Sequence, residues 1–511
     1  MIRLAGLGGV LVLTTARITV AQTGDFSVPA GSVLPNYDRI SIGHREGLEA
    51  NAFLARADDA AASWFNPAGL SLSEKSQLSA SANAYEFTSF ALEGADFTRG
   101  GTRFSSIGSY FGAVLGAPIV NSQNLRLGFS FTKPISWSPS RVEGAIESPE
   151  TNESFLYSAY VSFSTFIPAL TAGLKLTDRV RVGAGVGYAY TSLYQNQSIS
   201  DRVLTGSVVT TGFRTFETDG NVGNLVVTGS AQVDLGERVR LGALVTAPGV
   251  RIAGSSRVTY QNSVFRGAES RDIAFRDDEM TFDYKPPLLA GIGAAARFGQ
   301  AEVEVDVRYH GSRDAYVLFS SDVPAALVTT DATGTPTEGT LAFADIVEQT
   351  KAVTNVSVGG HYAFSPGFRV HAGFFTDNSP VEHPETSIFR AVDLTGFSAG
   401  VSFGAGKLTA SAGVSGSRGT GAGRAIGPTL GGRLDRDPGG GRAVLGRQGE
   451  AARVGGRGQH DPLTGGGVGQ RCGQRGRGVY VDRGRSGRNG GITNTVEEPG
   501  IRKGGHRAPS V

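Results

Sequence analysis

Two histidines have the clearest capacity for metal or proton chemistry in this sequence. His361 and His371 lie on either side of Ser365-Pro366-Gly367, which is typical of a tight turn. An antiparallel hairpin folded about this turn sets the two imidazoles opposite each other on one face. Such a pair binds a metal ion or titrates near neutral pH, but two ligands leave a zinc site incomplete. The sequence therefore favours a polar lining and predicts no metal and no cofactor.

A row of charged residues is the second candidate for chemistry. In the segment 301–310 the even-numbered residues are polar or charged and the odd-numbered residues are apolar, so a β-strand separates the two sets onto opposite faces. The charged residues of this row are Glu302, Glu304, Asp306 and Arg308. A hairpin about Gly299-Gln300 sets Arg297 opposite Glu302. We interpret the row as the polar face of a strand that lines the inside of the protein, where it pairs with Arg297 and with a segment of the chain folded inside. The alternative is that these side chains bind the charged head group of a ligand.

No catalytic motif is present in the sequence. Residues Gly183–Gly187 read GAGVG, which superficially resembles a phosphate-binding loop, but they lie inside a strand pattern with no helix after it. Glycines at such a place allow another segment to approach the wall closely. Nucleophile elbows, zinc-type cysteine spacings and kinase motifs are lacking. The sequence predicts that the protein is not an enzyme.

Long alternating segments position these residues. From about 76 to 417 polar and apolar residues alternate along nearly every segment, and short turns and long loops join the segments. This combination is typical of an antiparallel transmembrane β-barrel with lipid outside and a polar lumen. We count about thirteen strands, whereas bacterial single-chain barrels have an even number. The long loops are expected at 91–102, 138–152, 196–221, 259–280, 320–348 and 379–392.

Composition and the two chain ends limit the classes of function that the protein can have. The chain has 511 residues, 74 glycines, one cysteine and a net charge of +2, which argues against a nucleic-acid partner and a disulfide framework. Residues 1–21 have the pattern of a secretory signal peptide. Residues 418–511 are rich in Gly and Arg and do not alternate. They are interpreted as a disordered or out-of-frame tail, so the strand that would close the barrel is missing.

A compact segment precedes the first strand. It includes ADDAAASWFNPAGL, residues 57–70, in which Pro67 ends a helix because it has no backbone donor and Asn66 turns the chain through its side chain. This segment, followed by an alternating strand, resembles the FadL family of outer-membrane transporters of long-chain fatty acids and other hydrophobic compounds. The resemblance covers about residues 36–415 and includes the segments Phe166–Tyr190, Leu241–Gly249, Pro286–Phe298 and His361–Val381.

The resemblance implies a barrel of about 14 strands over residues 76–417, with residues 22–75 folded inside the lumen as a hatch. Asn66, Pro67 and Ala68 match the family's hatch motif; an ordinary turn before the first strand is the alternative. The family also kinks its third strand to open the wall sideways. Pro134 marks that exit by resemblance, or it simply ends the strand at a loop.

The function implied is passive transport of hydrophobic compounds across the bacterial outer membrane, by capture in the loops, hatch-gated binding in the lumen and lateral release. Four loop phenylalanines are expected to capture the compound, with packing within the loops as the alternative: Phe213, Phe216, Phe265 and Phe275. The expected partners are outer-membrane lipid and lipopolysaccharide, a hydrophobic small-molecule substrate and the barrel-assembly machinery. A structural barrel or adhesin, a porin for polar solutes and a truncated barrel that does not assemble are the competing hypotheses.

Overall fold

The computed structural model describes residues 25–26, 35–38, 40–82, 85–92, 97–104, 108–138, 142–148, 153–382, 391–422 and 471–474. The predicted signal peptide and most of the Gly/Arg-rich tail therefore lie outside the described residues. Helical elements are short: α1 is Ala62–Phe65, α2 is Ala117–Val120, and two 3₁₀ turns are Gly47–Glu49 and Pro67–Leu72. Among the described residues, no helix has the length and apolar character needed to cross a membrane.

Over the described ranges, strands dominate the fold and belong to one 24-stranded sheet. In chain order they are β1 Asp25–Phe26, β2 Gln77–Ala82, β3 Tyr85–Leu92, β4 Phe97–Phe104, β5 Gly108–Leu115, β6 Leu125–Trp137, β7 Val142–Ser148, β8 Glu153–Lys175, β9 Val180–Thr205, β10 Val208–Asp234, β11 Val239–Thr246, β12 Val250–Arg266, β13 Glu269–Phe282, β14 Leu289–Phe298, β15 Ala301–His310, β16 Arg313–Ser320, β17 Ala325–Thr330, β18 Pro336–Phe343, β19 Ile346–Thr350, β20 Val353–Ser365, β21 Phe368–Asp377, β22 Ala391–Ala405, β23 Leu408–Ala422 and β24 Arg471–Gln474.

The wall is a run of antiparallel neighbours. Its pairing order is β2, β5, β6, β8, β9, β10, β11, β14, β15, β20, β21, β22 and β23, which confirms the set of about thirteen strands predicted from the alternation. The last of these, β23, runs on to Ala422, past the predicted end at 417. From the tail, β24 pairs with both β23 and β3. It has four residues, fewer than the nine to eleven of a membrane-crossing strand, so a full-length closing strand is not among the described residues.

Register at the short turns follows the sequence prediction. Arg297 pairs with Glu302, Asp234 with Arg240 and His361 with His371, because like faces must match across a hairpin. The turn after β20 differs in one detail. The register shifts between Ala363 and Ser365, so that Ser365 is paired with Phe368, whereas a symmetric hairpin about Pro366 would pair Phe364 with Phe368.

Several predicted long loops are strands, and that part of the prediction is wrong. The range 196–221 forms most of the β9–β10 hairpin, whose turn holds Gly206 at φ 62°. The range 259–280 forms the β12–β13 hairpin, with Gly267 at φ 60°. The range 320–348 contains the hairpin of β17 and β18. A glycine at positive φ turns the chain tightly, so polar strands extend where the sequence suggested loops.

The outer face of the wall carries a belt of exposed apolar side chains. On β6, Leu127, Phe129 and Phe131 are exposed, and on β8 so are Leu170 and Leu174. Others in the belt are Val186, Leu225, Val227, Leu241, Val245, Ile292, Val303, Val305, Val358, Phe374, Phe397 and Phe403. A contiguous apolar surface of this extent requires an apolar surrounding, and alternating strands with the apolar side outward are the signature of a membrane barrel.

Candidate functional site

A compact hatch, which we define as residues 35–38 and 40–75, packs against the inner face of the wall. Buried Asn66 joins two hatch segments to β10. Its Nδ2 donates to the Leu54 carbonyl at 2.7 Å and to the Ala231 carbonyl at 3.1 Å, and its Oδ1 accepts from the Ala68 N–H at 3.2 Å. Pro67 begins the 3₁₀ turn that follows, where its missing N–H costs nothing. The Asn-Pro-Ala motif therefore fixes the hatch to the wall.

Glycines on the wall make room for this motif. A Cβ at Gly183 would overlap the backbone of Pro67 and Ala68, and a Cβ at Gly173 would overlap the Pro67 carbonyl. The Ala68 N–H also donates to Ser230 Oγ at 3.0 Å. The GAGVG stretch thus permits a close approach of hatch and wall, as the sequence predicted, and it lies in β9 with no phosphate-loop geometry.

Two carboxylates on β15 hold the hatch backbone. Glu304 and Asp306 are fully buried. Together they accept hydrogen bonds from the N–H groups of the four residues Phe53, Leu54, Ala55 and Arg56, at 2.5–3.2 Å. The Arg56 guanidinium adds a hydrogen bond to Glu304 at 2.8 Å. The bonds to Glu304, which also accepts from the Arg56 guanidinium, are charge-assisted and about twice as strong as neutral ones, so this row of β15 serves as the seat of the hatch. Arg297, in contrast, is largely exposed and pairs with Glu302 at 3.3 Å.

Glu49 of the hatch reaches the histidine pair. His371 Nδ1 lies 2.6 Å and His361 Nδ1 lies 3.1 Å from Glu49 Oε1, and Arg56 Nη2 lies 2.5 Å from Oε2. Burial raises the pKa of the Glu49 carboxyl, but the hydrogen bonds from both histidines and the charge of Arg56 outweigh it and hold this pKa well below its usual value. Glu49 thus adds a third potential metal ligand to the two histidines that the sequence pairs.

A second hatch carboxylate meets the remaining described wall histidine. His310 Nε2 lies 2.8 Å from Asp38 Oδ2, Asn355 Nδ2 donates to the same oxygen at 2.7 Å, and Arg308 lies 3.8 Å from Oδ1. Burial raises the pKa of the Asp38 carboxyl. The charge and hydrogen bond of His310, together with the charge of Arg308, outweigh burial and hold this pKa well below its usual value. The Tyr37 ring stacks on His310 with centroids 4.6 Å apart.

A cavity of about 160 Å³ lies between the hatch and the wall. Most of its lining is apolar, and the charged or titratable residues in it are Asp38, Arg308, His310 and two tyrosines, Tyr37 and Tyr284. Its apolar lining includes Trp64, Phe65, Ile167, Ala169, Val226 and Leu244. An apolar cavity of about 150 Å³ in another protein admits benzene. The volume and lining therefore suit one small apolar molecule.

The cavity reaches the wall at a bulge in β6. Thr132 pairs with Ile167 and Ile135 pairs with Thr165, so Lys133 and Pro134 together oppose a single residue of β8. This is a β-bulge, one of the places where a strand tolerates a proline. Pairing of β6 with β5 ends at Thr132, and both Pro134 and Ile135 line the cavity.

An aromatic cluster fills the interior near the long hairpins. It is formed by Phe26, Val161, Phe163, Leu193, Phe216, Val222, Val258, Tyr260, Ile273, Phe275, Met280, Phe282, Tyr284, Tyr316, Leu318, Phe319, Ala325, Leu327, Leu341, Phe343 and Val381. The Phe26 ring lies 5.1 Å from Phe275 and 5.6 Å from Phe343 between centroids. Tyr284 belongs to the cluster and also lines the cavity, so the two adjoin.

Of the four phenylalanines predicted to capture the compound, two are buried and two are exposed. All lie in strands (β10, β12 and β13), so their assignment to loops is wrong. Phe216 and Phe275 are buried in the aromatic cluster, whereas Phe213 and Phe265 are 44% and 46% exposed.

Sequence reasoning missed Asp38, Glu49, Arg56 and Phe26. A signal for the first three exists, because charged residues in a segment predicted to be buried must meet opposite charges on the lumen face. Phe26, which lies within the predicted hatch range 22–75, packs in the aromatic cluster.

Comparison with known proteins adds to this geometry. No family model and no curated protein matches the chain. The solved structure of a Pseudomonas aeruginosa FadL homologue aligns with a TM-score of 0.50 at 12% identity, over 86% of this chain and 98% of that chain. The P. putida toluene transporter TodX aligns with a TM-score of 0.49 at 12% identity, over 85% and 96%. The CymD monoaromatic hydrocarbon channel aligns with a TM-score of 0.45 at 12% identity, over 86% of this chain and 96% of that chain. The chain thus has the fold of the FadL homologue, an antiparallel transmembrane β-barrel with an internal hatch.

Proposed function

We propose that this protein transports small hydrophobic compounds passively across the bacterial outer membrane. The observation that carries the proposal is an apolar cavity of about 160 Å³ between hatch and wall, which touches the bulge at Pro134 on one side and the aromatic cluster at Tyr284 on the other. Compounds enter through the cluster, rest in the cavity and leave sideways at the bulge after a shift of the hatch. The external apolar belt supports a membrane position.

The size of the cavity bears on the substrate. A site comparable to one that admits benzene suits a single ring or a short branched chain. A long-chain fatty acid has several times as many carbon atoms and fits only if the hatch moves and enlarges the site. We therefore favour compact apolar compounds over long-chain fatty acids as substrates.

The hatch also bears on the competing functions. A porin for polar solutes needs a hydrated passage, whereas hatch residues are packed against β5, β6, β8, β9 and β10 and against β20 to β23. Export directed by residues 1–21, insertion by the barrel-assembly machinery and contact with outer-membrane lipid and lipopolysaccharide belong to the same proposal.

Uptake into liposomes tests this function. Purified protein that migrates as an assembled barrel should admit radiolabelled toluene with saturation kinetics and should give no large ion conductance. Pro134→Val should slow uptake because it favours a regular ladder at the bulge. Pro168→Val is the matched control, since Pro168 pairs with Phe131 without a register shift. Large ion currents would instead support a porin, and uptake equal in both variants would contradict the lateral exit.

A further inference from the structure

Three donor atoms from hatch and wall converge near the turn after β20. His361 and His371 are register partners on β20 and β21, with ring centroids 5.5 Å apart. Glu49 comes from the hatch. One ligand atom from each of the three side chains lies within 4.8 Å of the other two. Two imidazole nitrogens and a carboxylate oxygen are a donor set that zinc takes in proteins.

The outer faces of both histidine rings are held by other side chains. His371 Nε2 lies 2.7 Å from Ser402 Oγ, and His361 Nε2 lies 3.9 Å from a Glu302 carboxylate oxygen. Histidines that bind metals usually present their second nitrogen to a hydroxyl, carbonyl or carboxylate, which fixes the orientation of the ring. In both rings the Nδ1 atom is therefore the one directed to Glu49.

The local charge balance favours a cation. Glu49, Glu302 and Glu304 lie around the site. Arg56 is bound to Glu49 Oε2 at 2.5 Å and to Glu304 at 2.8 Å, and Arg297 lies 3.3 Å from Glu302. Three carboxylates against two guanidinium groups leave one negative charge, which favours a bound cation. Arg56 occupies Oε2, so Oε1 is the carboxylate oxygen directed toward both histidines.

We propose that Glu49, His361 and His371 form a site for a divalent transition-metal ion with the ligand preference of Zn²⁺. Its fourth position is left to water. Two ligands belong to the wall and one to the hatch, so a bound ion fastens the hatch to the wall. This inference stands on geometry alone and does not depend on the transport proposal.

Metal titration of the full chain tests the proposal. Detergent-purified protein is stripped with EDTA, the chelator is removed, and ZnCl₂ is titrated in a calorimeter. Co²⁺ is titrated separately, because its visible absorption reports a tetrahedral or five-coordinate site. We expect one saturable ion per chain. Glu49→Gln and His371→Gln should weaken binding by more than about tenfold, since loss of an outer partner alone costs that much.

Matched controls separate this site from other histidines. His310 also joins the wall to a hatch carboxylate, Asp38, but without a third donor, so it offers no comparable site. His44→Gln examines the other described trio, which is His44, Glu46 and Asp59. If Glu49→Gln or His371→Gln fails to assemble, Ser402→Ala keeps all three ligands and should bind about 10–100-fold more weakly. No saturable binding, binding unchanged by Glu49→Gln and His371→Gln, or binding lost only in His44→Gln would overturn the proposal.

Discussion

The two halves of the barrel interior are built from different interactions. On the side of the short turns, the hatch is held by buried charges and directed hydrogen bonds, as at Glu304, Asp306 and Asn66. On the side of the long hairpins, the interior is packed with aromatic rings such as Phe26, Phe275 and Phe343. Directed bonds define one position of the hatch, whereas the hydrophobic effect that buries the rings is non-directional, so this part accommodates an apolar guest. The cavity therefore lies between the hatch, which directed bonds hold in one position, and the aromatic cluster, which can adapt to a guest.

Removal of a buried carboxylate should disrupt the turn side most. Glu304→Ala leaves Arg56 Nε and two backbone N–H groups without their acceptor, and breaking a buried ion pair costs about 3–5 kcal/mol. Hydrogen exchange of residues 53–56 should become much faster. Glu302→Ala is the control, because Glu302 pairs with largely exposed Arg297 and such pairs contribute about 0–1 kcal/mol. Equal exchange in the two variants would show that the hatch is not seated by charge.

A substitution on the hairpin side should have a smaller effect. Phe275→Leu keeps an apolar side chain but removes ring contacts with Phe26 and Phe343, each of which contributes about 0.5–1.5 kcal/mol beyond area. We expect faster exchange in β13 and β18 and unchanged exchange in residues 53–56. A change of equal size in the hatch would mean that the two halves are energetically coupled.

Acid should loosen the hatch gradually. The pKa of the Asp38 carboxyl is held below its usual value in the folded protein, so the docked hatch binds fewer protons than the released hatch. Docking is therefore fully stabilised above the ordinary Asp pKa of about 4, and the stabilisation declines as the pH falls below it. Limited proteolysis of the hatch between pH 7 and pH 3 measures this decline. Asp38→Asn should flatten the profile, and a profile unchanged by Asp38→Asn would assign the effect to other groups.

The sequence predicted what local pattern determines. The alternation of polar and apolar residues predicted the wall strands, and the turn residues predicted cross-strand pairs such as Arg297 with Glu302. Both features depend on residues that are close together in the sequence. The same alternation could not distinguish a protruding polar strand from a loop, so the β9–β10 hairpin was missed. The partners of the hatch join distant residues, as Glu49 with His371 does, and nothing local encodes them. The cavity is a gap in packing and has no sequence signature.

Ligand binding at the cavity tests the central claim most directly. The chain has two tryptophans, Trp64 and Trp137; Trp64 lines the cavity, and Trp137 packs against the aromatic cluster. In a Trp137→Phe background, toluene should change the fluorescence of Trp64 saturably. Ala169→Phe, which fills the cavity, should abolish the change, and Leu170→Phe on the exposed outer face of the same strand should preserve it. The absence of a saturable change, or an equal change in the Ala169→Phe variant, would contradict a small apolar site between hatch and wall.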